Sequence, residues 1–178
     1  NKIISSKHEL LNLLEEHSAQ SILSSQERKA VKGALTYADL RVGDFMIPSG
    51  VVVSINSTEE LSPVVIGELH ESGHSRFPVI DEKENVVGTL YFKDVVSLKQ
   101  NKRVIDAMRP EVYYLNEDQT LQEALKAFLK TKHHLFMVVN SYEDIVGIIT
   151  IEDVLEQIIG EKIVDEFDQY DDLKVVAT

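Results

Sequence analysis

The sequence predicts an α/β (α+β) protein: two tandem β-α-β-β-α repeats with pseudo-two-fold symmetry, preceded by a short helical segment. Three observations predict it. The frame V-x-D-x-M-x-P at residues 42–48 recurs at 104–110, an offset of 62. The frame V-G-x-x-x-x-x-D-V at 87–95 recurs at 146–154, an offset of 59. Between the two frames, each copy runs through the same order of hydrophobic patterns. A period of this length marks a repeated supersecondary unit. One unit of about 50–60 residues buries too little surface to be comfortable alone, so two should pair.

The elements follow in order. Residues 7–37 read as two short helices. The first runs from Lys7 to about His17, with Leu10, Leu13 and Leu14 on one face. Ser24 or Ser25 caps the second, with Glu27 in its first turn. After each M-x-P comes a short β-forming run, Val51 to Val53 and then Val112 to Leu115. Polar turns at 56–58 and 116–118 lead into helices. In the first repeat Leu61, Val65 and Leu69 fall at i, i+4, i+8, from Glu59 to about Glu71. Pro63 sits in the first turn, where it is tolerated, and Gly73 ends the helix. In the second repeat Leu121, Ala124, Leu125, Phe128 and Leu129 make the same stripe. Strands at 77–80 and 135–139 follow, then polar hairpin turns at 81–85 and 140–144. The last strands, 86–91 and 145–149, run straight into helices starting near Lys93 and Ile151.

Composition narrows the function. The chain has 178 residues, 43% of them hydrophobic and 27% charged, which is globular rather than disordered. It has no cysteine, which removes disulfides, thiolate metal sites and cysteine nucleophiles. The net charge is −12, which argues against nucleic acid as a partner. Most of that charge sits at 152–172, with nine acids and one base. No apolar run reaches the ~18–20 residues of a membrane span. The first residues, Asn1 to Ile4, carry no signal peptide and no initiating Met, which reads as a fragment of a longer protein.

Candidate site residues lie at the strand-to-helix junctions. Thr150 and Asp153 have the spacing of a capping box. The same geometry suits a nucleoside phosphate: a helix N-terminus attracts the anion, the hydroxyl adds a donor, and the carboxylate accepts from a ribose diol. Asp94 holds the matching place in the first repeat, but Tyr91 stands where Thr150 does, making a weaker second half-site. Arg76, beside Ser75 and His74, would suit an anion. His70-Glu71-x-x-His74 matches the zinc-hydrolase pattern, although Gly73 interrupts the helix that pattern needs. The P-loop, G-x-S-x-G and G-x-G-x-x-G signatures are missing, so no catalytic residue is assigned.

These residues carry a resemblance. The doubled unit, its M-x-P lead-in and the Gly147-Ile-Ile-Thr-Ile-Glu-Asp-Val154 run resemble a tandem pair of CBS domains. Residues 73–79, and the run from Thr150 into residues 165–168, resemble the CBS region of the CorC/CNNM (hemolysin C-like) magnesium and cobalt transporter family. The resemblance implies a regulatory module rather than an enzyme. It implies ATP or AMP as ligand, with Mg²⁺, a homodimer through the CBS pair, and a parent transmembrane domain outside this chain. The module would then lie on the cytoplasmic side of the membrane. Thr150 and Asp153 would hold the phosphate side and the ribose, Arg76 the phosphates, and Ser75 and His74 would line the same cleft. The implied divisions are 1–40 helical linker, 41–100 first repeat, 101–160 second repeat and 161–178 acidic tail. Two alternatives stand beside this: a dimerisation scaffold with a degenerate nucleotide site, and a zinc-dependent hydrolase.

Overall fold

A computed structural model describes residues 6–16, 22–97 and 102–163. The acids at 165–172 and the end of the first helix at His17 lie outside the described residues. The chain divides into two compact units, one built from residues up to 50 together with 114–163, the other from 51–113.

The first unit begins with α1 (Lys7–Glu15), capped by Ser6, and α2 (Ser25–Thr36). Ser24 is the N-cap of α2, and its hydroxyl accepts from the Glu27 amide while Glu27 accepts from the Ser24 amide at 2.6 Å. A short turn, α3 (Val42–Phe45), leads into β1 (Ile47–Pro48). The unit then continues, much later in sequence, with β5 (Tyr114–Asn116), α7 (Leu121–Thr131), β6 (Leu135–Val139), β7 (Ile145–Thr150) and α8 (Ile151–Ile159). Its sheet has the order β1-β7-β6-β5. β5 is parallel to β6, with α7 as the crossover such a pair requires. Leu121, Ala124 and Phe128 bury the predicted stripe of α7, and Phe128 meets Phe136 with ring centres 4.5 Å apart. Leu129, at the edge of that stripe, stays 65% exposed. α2 packs on α8, so the helical segment belongs to this unit.

The second unit holds β2 (Ile55–Asn56), α4 (Pro63–Glu71), β3 (Arg76–Ile80), β4 (Val86–Tyr91), α5 (Phe92–Val96) and α6 (Val104–Ala107). β2 runs parallel to β3, and β3 antiparallel to β4. The core joins Ile55, Leu69, Phe77, Val79 and Leu90 with Val104.

Two elements differ from expectation. The strand expected at Val51 to Val53 forms instead at β2. Val51 and Val53 are 67% and 41% exposed, whereas Ile55 is buried and pairs with Val79. β-propensity alone does not make a strand where no partner strand runs alongside. The helix expected from Glu59 starts at Pro63. Ser62 is extended, as a residue before proline prefers, and its hydroxyl caps the helix through the Val65 amide. Leu61 is buried all the same, just ahead of the helix.

The hairpins match closely. Asp81 Oδ1 accepts from the Lys83 and Asn85 amides, and Asn140 Oδ1 from the Tyr142 and Asp144 amides. Both are side-chain-stabilised turns.

The lead-in frames are where sequence order and spatial order part. Val42 of the first frame donates to the Gln119 carbonyl at 2.8 Å and is fully buried in the unit of the second repeat. Val104 of the second frame donates to the Glu59 carbonyl at 2.9 Å and is fully buried in the unit of the first. Ile47 then pairs with Ile148, and Arg109 makes the equivalent bridge to Thr89. Boundaries drawn at 41–100 and 101–160 group each lead-in with the repeat that follows it; the hydrogen bonds group it with the other.

The close approach explains both frames at once. A Cβ at Gly88 would stand 2.5 Å from the Arg109 carbonyl and 2.8 Å from Met108 Sδ. A Cβ at Gly147 would fall on the Ile47 carbonyl and 2.9 Å from Met46 Sδ. The glycine of one frame is the space for the M-x-P of the other.

Gly147→Ala should therefore destabilise the chain by ~1–3 kcal/mol through overpacking against backbone. Gly67→Ala, in mid-helix with nothing within 4 Å of the added carbon, should stabilise by ~0.5–1 kcal/mol. Urea unfolding of both variants checks the pair; a Gly147→Ala chain as stable as the parent would show the lead-in is not tightly seated.

Candidate functional site

In the first unit, β7 ends directly in α8, and Thr150 is the N-cap with extended backbone (φ −109°, ψ 162°). The capping box is complete. Thr150 Oγ1 accepts from the Asp153 amide at 3.3 Å. Asp153 Oδ2 accepts from the Thr150 amide at 2.7 Å and from its hydroxyl at 2.9 Å. The ordinary capping role expected of these residues is thus realised. Asp153 is half-buried. Burial pushes its carboxyl above the usual aspartate range; the bonds from Thr150 pull it back, and Glu156 and Glu152 push it up further. Among the described residues no cation offsets that burial, at the mouth of a helix whose dipole favours anions.

The corresponding place in the second unit has different chemistry. Tyr91 is the N-cap of α5 but makes no side-chain cap bond, and it is buried. Arg109 lies over its ring, 3.9 Å from the centroid, with Arg76 at 5.6 Å and Lys93 at 5.7 Å. Cations near a ring face are attracted by its quadrupole. Arg109 also donates twice to Asp94 Oδ2, from Nε at 3.1 Å and Nη2 at 2.9 Å. Both side chains are only about one-third exposed, at 36% and 35%, which sets this pair apart from surface pairs such as Arg41–Asp118 at 64% and 70%.

Arg76 opens β3 and pairs in register with Tyr91. The Ser75 carbonyl accepts from the Phe92 amide at 2.9 Å, tying the loop before β3 to the start of α5. His134 does the same for Ile151 in the first unit. Thus Arg76, Ser75, Tyr91 and Asp94 lie together in the second unit, and Thr150 and Asp153 in the first. Sequence reasoning missed Arg109 and Lys93. The signal for Arg109 was present: it occupies the variable position of M-x-P, where the first frame has Ile47.

The zinc alternative loses its geometric premise. α4 stops at Glu71, Ser72 is its C-cap, and Gly73 follows at φ +71°. His74 lies beyond the helix, edge-on to Phe77 at 6.2 Å, while His70 stacks on Phe92 at 5.7 Å. The two imidazoles therefore do not share one helical face, as that metal motif requires.

Among the described residues no helix is long and apolar enough to cross a membrane.

The CBS domain family model matches residues 42–101 and 104–160. The chain is 34% identical over 171 residues to the magnesium and cobalt efflux protein CorC of Pasteurella multocida (strain Pm70), covering 93% of this chain and 56% of that protein. It therefore spans little more than half the length of that relative. The CBS domain of a bacterial CNNM/CorC family Mg²⁺ transporter superposes with a TM-score of 0.75 at 26% identity, covering 91% of this chain and all of that one. The CBS domain of a bacterial CNNM/CorC family Mg²⁺ transporter in complex with ATP gives 0.68 at 27% identity, over 76% of this chain and 99% of that one.

Two measurements check the half-site in the first unit. Thr150→Ala removes the N-cap acceptor and should cost ~1 kcal/mol in unfolding free energy. Asp153 holds its proton more tightly folded than unfolded, so its contribution to stability falls as pH rises from the usual aspartate range through its raised value. Asp153→Asn lacks that term. It should gain stability relative to the parent as pH rises from the usual aspartate range through the raised value of Asp153. An unchanged difference across that range would contradict the buried-carboxylate assignment.

Proposed function

The chain belongs to the CBS-domain family, and on that premise we propose that it is the regulatory adenine-nucleotide-binding part of a divalent-cation transport or efflux protein. It acts as a binding module rather than an enzyme. The observation that carries the reading is the Thr150–Asp153 junction: a half-buried carboxylate and a hydroxyl at the N-terminus of α8. Asp153 accepts from the ribose diol, and Thr150 and the α8 amides face the phosphate side. We assign Arg76 to the phosphates, with Ser75 and His74 beside it. The likeness to an ATP-bound CBS domain supports ATP as the first ligand to test, with AMP as the second. The module works as a homodimer on the cytoplasmic side of the membrane, coupling nucleotide level to the membrane part of the parent protein.

Charge dictates the role of Mg²⁺. The chain carries −12, and a triphosphate adds several more negative charges. Salt screens the distant part of that repulsion, with a Debye length of about 8 Å at physiological strength, but not the part inside a site. A divalent cation bridging the phosphates removes two charges and takes oxygen ligands.

Calorimetric titration of ATP, ADP and AMP, with Mg²⁺ and with excess chelator at fixed ionic strength, tests the proposal. ATP should gain more from Mg²⁺ than AMP does; equal ATP affinity in the two conditions would remove the cation from the site. Asp153→Ala should weaken ATP binding by about 10–150-fold, the value of one charge-assisted hydrogen bond of ~1.5–3 kcal/mol. Retention of parental affinity in that variant would overturn the assignment. Failure of the parent chain to bind any of the three nucleotides would leave the dimerisation scaffold as the function.

A further inference from the structure

The two repeats carry the same acid at the same place and surround it differently. Asp94 and Asp153 are both the third residue after the last strand, in matching D-V frames. The lead-in strand beside each is seated in the same register: Arg109 bridges Thr89 as Ile47 pairs with Ile148, two positions before Tyr91 and Thr150 respectively. Side chains alternate strictly along a strand, so equal register puts the side chains at 109 and 47 on the same face relative to their acids. In the second unit that side chain is a guanidinium, and it reaches Asp94 with two hydrogen bonds. In the first unit it is an isoleucine, which brings no charge, and among the described residues Asp153 accepts from the hydroxyl and amide of Thr150.

We propose that Arg109 is a specificity-determining residue: as a built-in cation it takes up the ligand-facing carboxylate of the Asp94 half-site, confining nucleoside recognition to the Asp153 half-site. Three features bind Arg109 in place. Its backbone exchanges two hydrogen bonds with Thr89, both 2.9 Å. Its guanidinium covers the Tyr91 ring at 3.9 Å. Its Nε and Nη2 both address one Asp94 oxygen. A ribose hydroxyl approaching Asp94 would have to displace a charge-assisted pair held from the backbone, and a neutral hydroxyl donor is the weaker partner. At Asp153 the same hydroxyl meets no resident cation from the lead-in strand. The side chain at the variable position of M-x-P thus adds to the Tyr91-for-Thr150 difference at the cap and decides whether the acid of each half-site is already paired.

This inference rests on the nucleotide reading of Asp153, and its test separates the two. Ile47→Arg transplants the cation to the first unit, with Ile47→Met as an apolar control of similar size. Ile47→Arg should weaken ATP binding at least tenfold in calorimetric titration, while Ile47→Met stays within about twofold of the parent. The direction is diagnostic, because an added positive charge on a chain of −12 favours an anionic ligand by its long-range field. In the ligand-free chain, carboxyl NMR should show Asp153 titrating lower in Ile47→Arg than in the parent, which reports the new pair directly. Arg109→Ile is the reciprocal variant. It should add a second binding event per chain that disappears when Asp94→Ala is combined with it. If the parent binds nucleotide and Ile47→Arg binds equally well, this inference falls and the nucleotide reading stands. If Ile47→Arg proves unfolded by circular dichroism, the reciprocal variant decides: a second event supports the inference, and a single unchanged event overturns it. If the parent binds no nucleotide, both fall.

Discussion

The backbone-on-backbone contact at Gly88 and Gly147 is the constraint on which the rest of the structure depends. At each of these residues the last strand of a sheet has no side chain on the face where the lead-in strand passes. That lets a carbonyl and a methionine sulfur occupy space a Cβ would fill. The lead-in then buries its valine, Val42 or Val104, and closes the core. Each compact unit takes this strand from the other half of the sequence. Neither repeat completes its own core, which is the structural answer to the small size of a single unit.

The same contact governs the chemistry of the half-sites. By fixing register, it fixes which lead-in residue stands near the strand-to-helix junction. A guanidinium arrives in one unit and an aliphatic side chain in the other. Asp94 becomes half of an ion pair, and Asp153 becomes a carboxyl raised by burial and held by a capping box. The junctions also differ in length of helix: nine residues in α8 against five in α5. A longer helix presents a fuller set of aligned peptide dipoles at its N-terminus. The differences leave Asp94 paired with Arg109 among the cations around Tyr91, and Asp153 held by Thr150 with Glu152 and Glu156 nearby. What separates the halves of the duplication is therefore local side-chain chemistry laid over a shared backbone.

Much of this was legible along the chain. The two frames, the hairpin turns at Asp81 and Asn140, the stripe of α7 and the capping box at Thr150 are local signals, with causes that lie within a few residues of each other. Strand β6 and the start of α8 fall where the pattern put them. The poor capping by Tyr91 was readable too, because a bulky ring cannot reach the amides a threonine reaches. Local steric rules also explain the later start of α4, since a proline restricts the residue before it.

What the sequence by itself determined, then, is the duplication, the order of elements and the residue types at the junctions. These depend on periodicity, turn chemistry and caps, all short-range. Only the tertiary structure decided which sheet each lead-in joins, which β-prone run becomes a strand, and which partner Asp94 acquires. Val51 to Val53 has the propensity but no neighbouring strand, while Ile55 has Val79. Arg109 sits 15 residues from Asp94 along the chain, and nothing in that spacing pairs them. Their pairing follows from a backbone seated in a glycine gap, and such a contact exists only once the chain has folded back on itself.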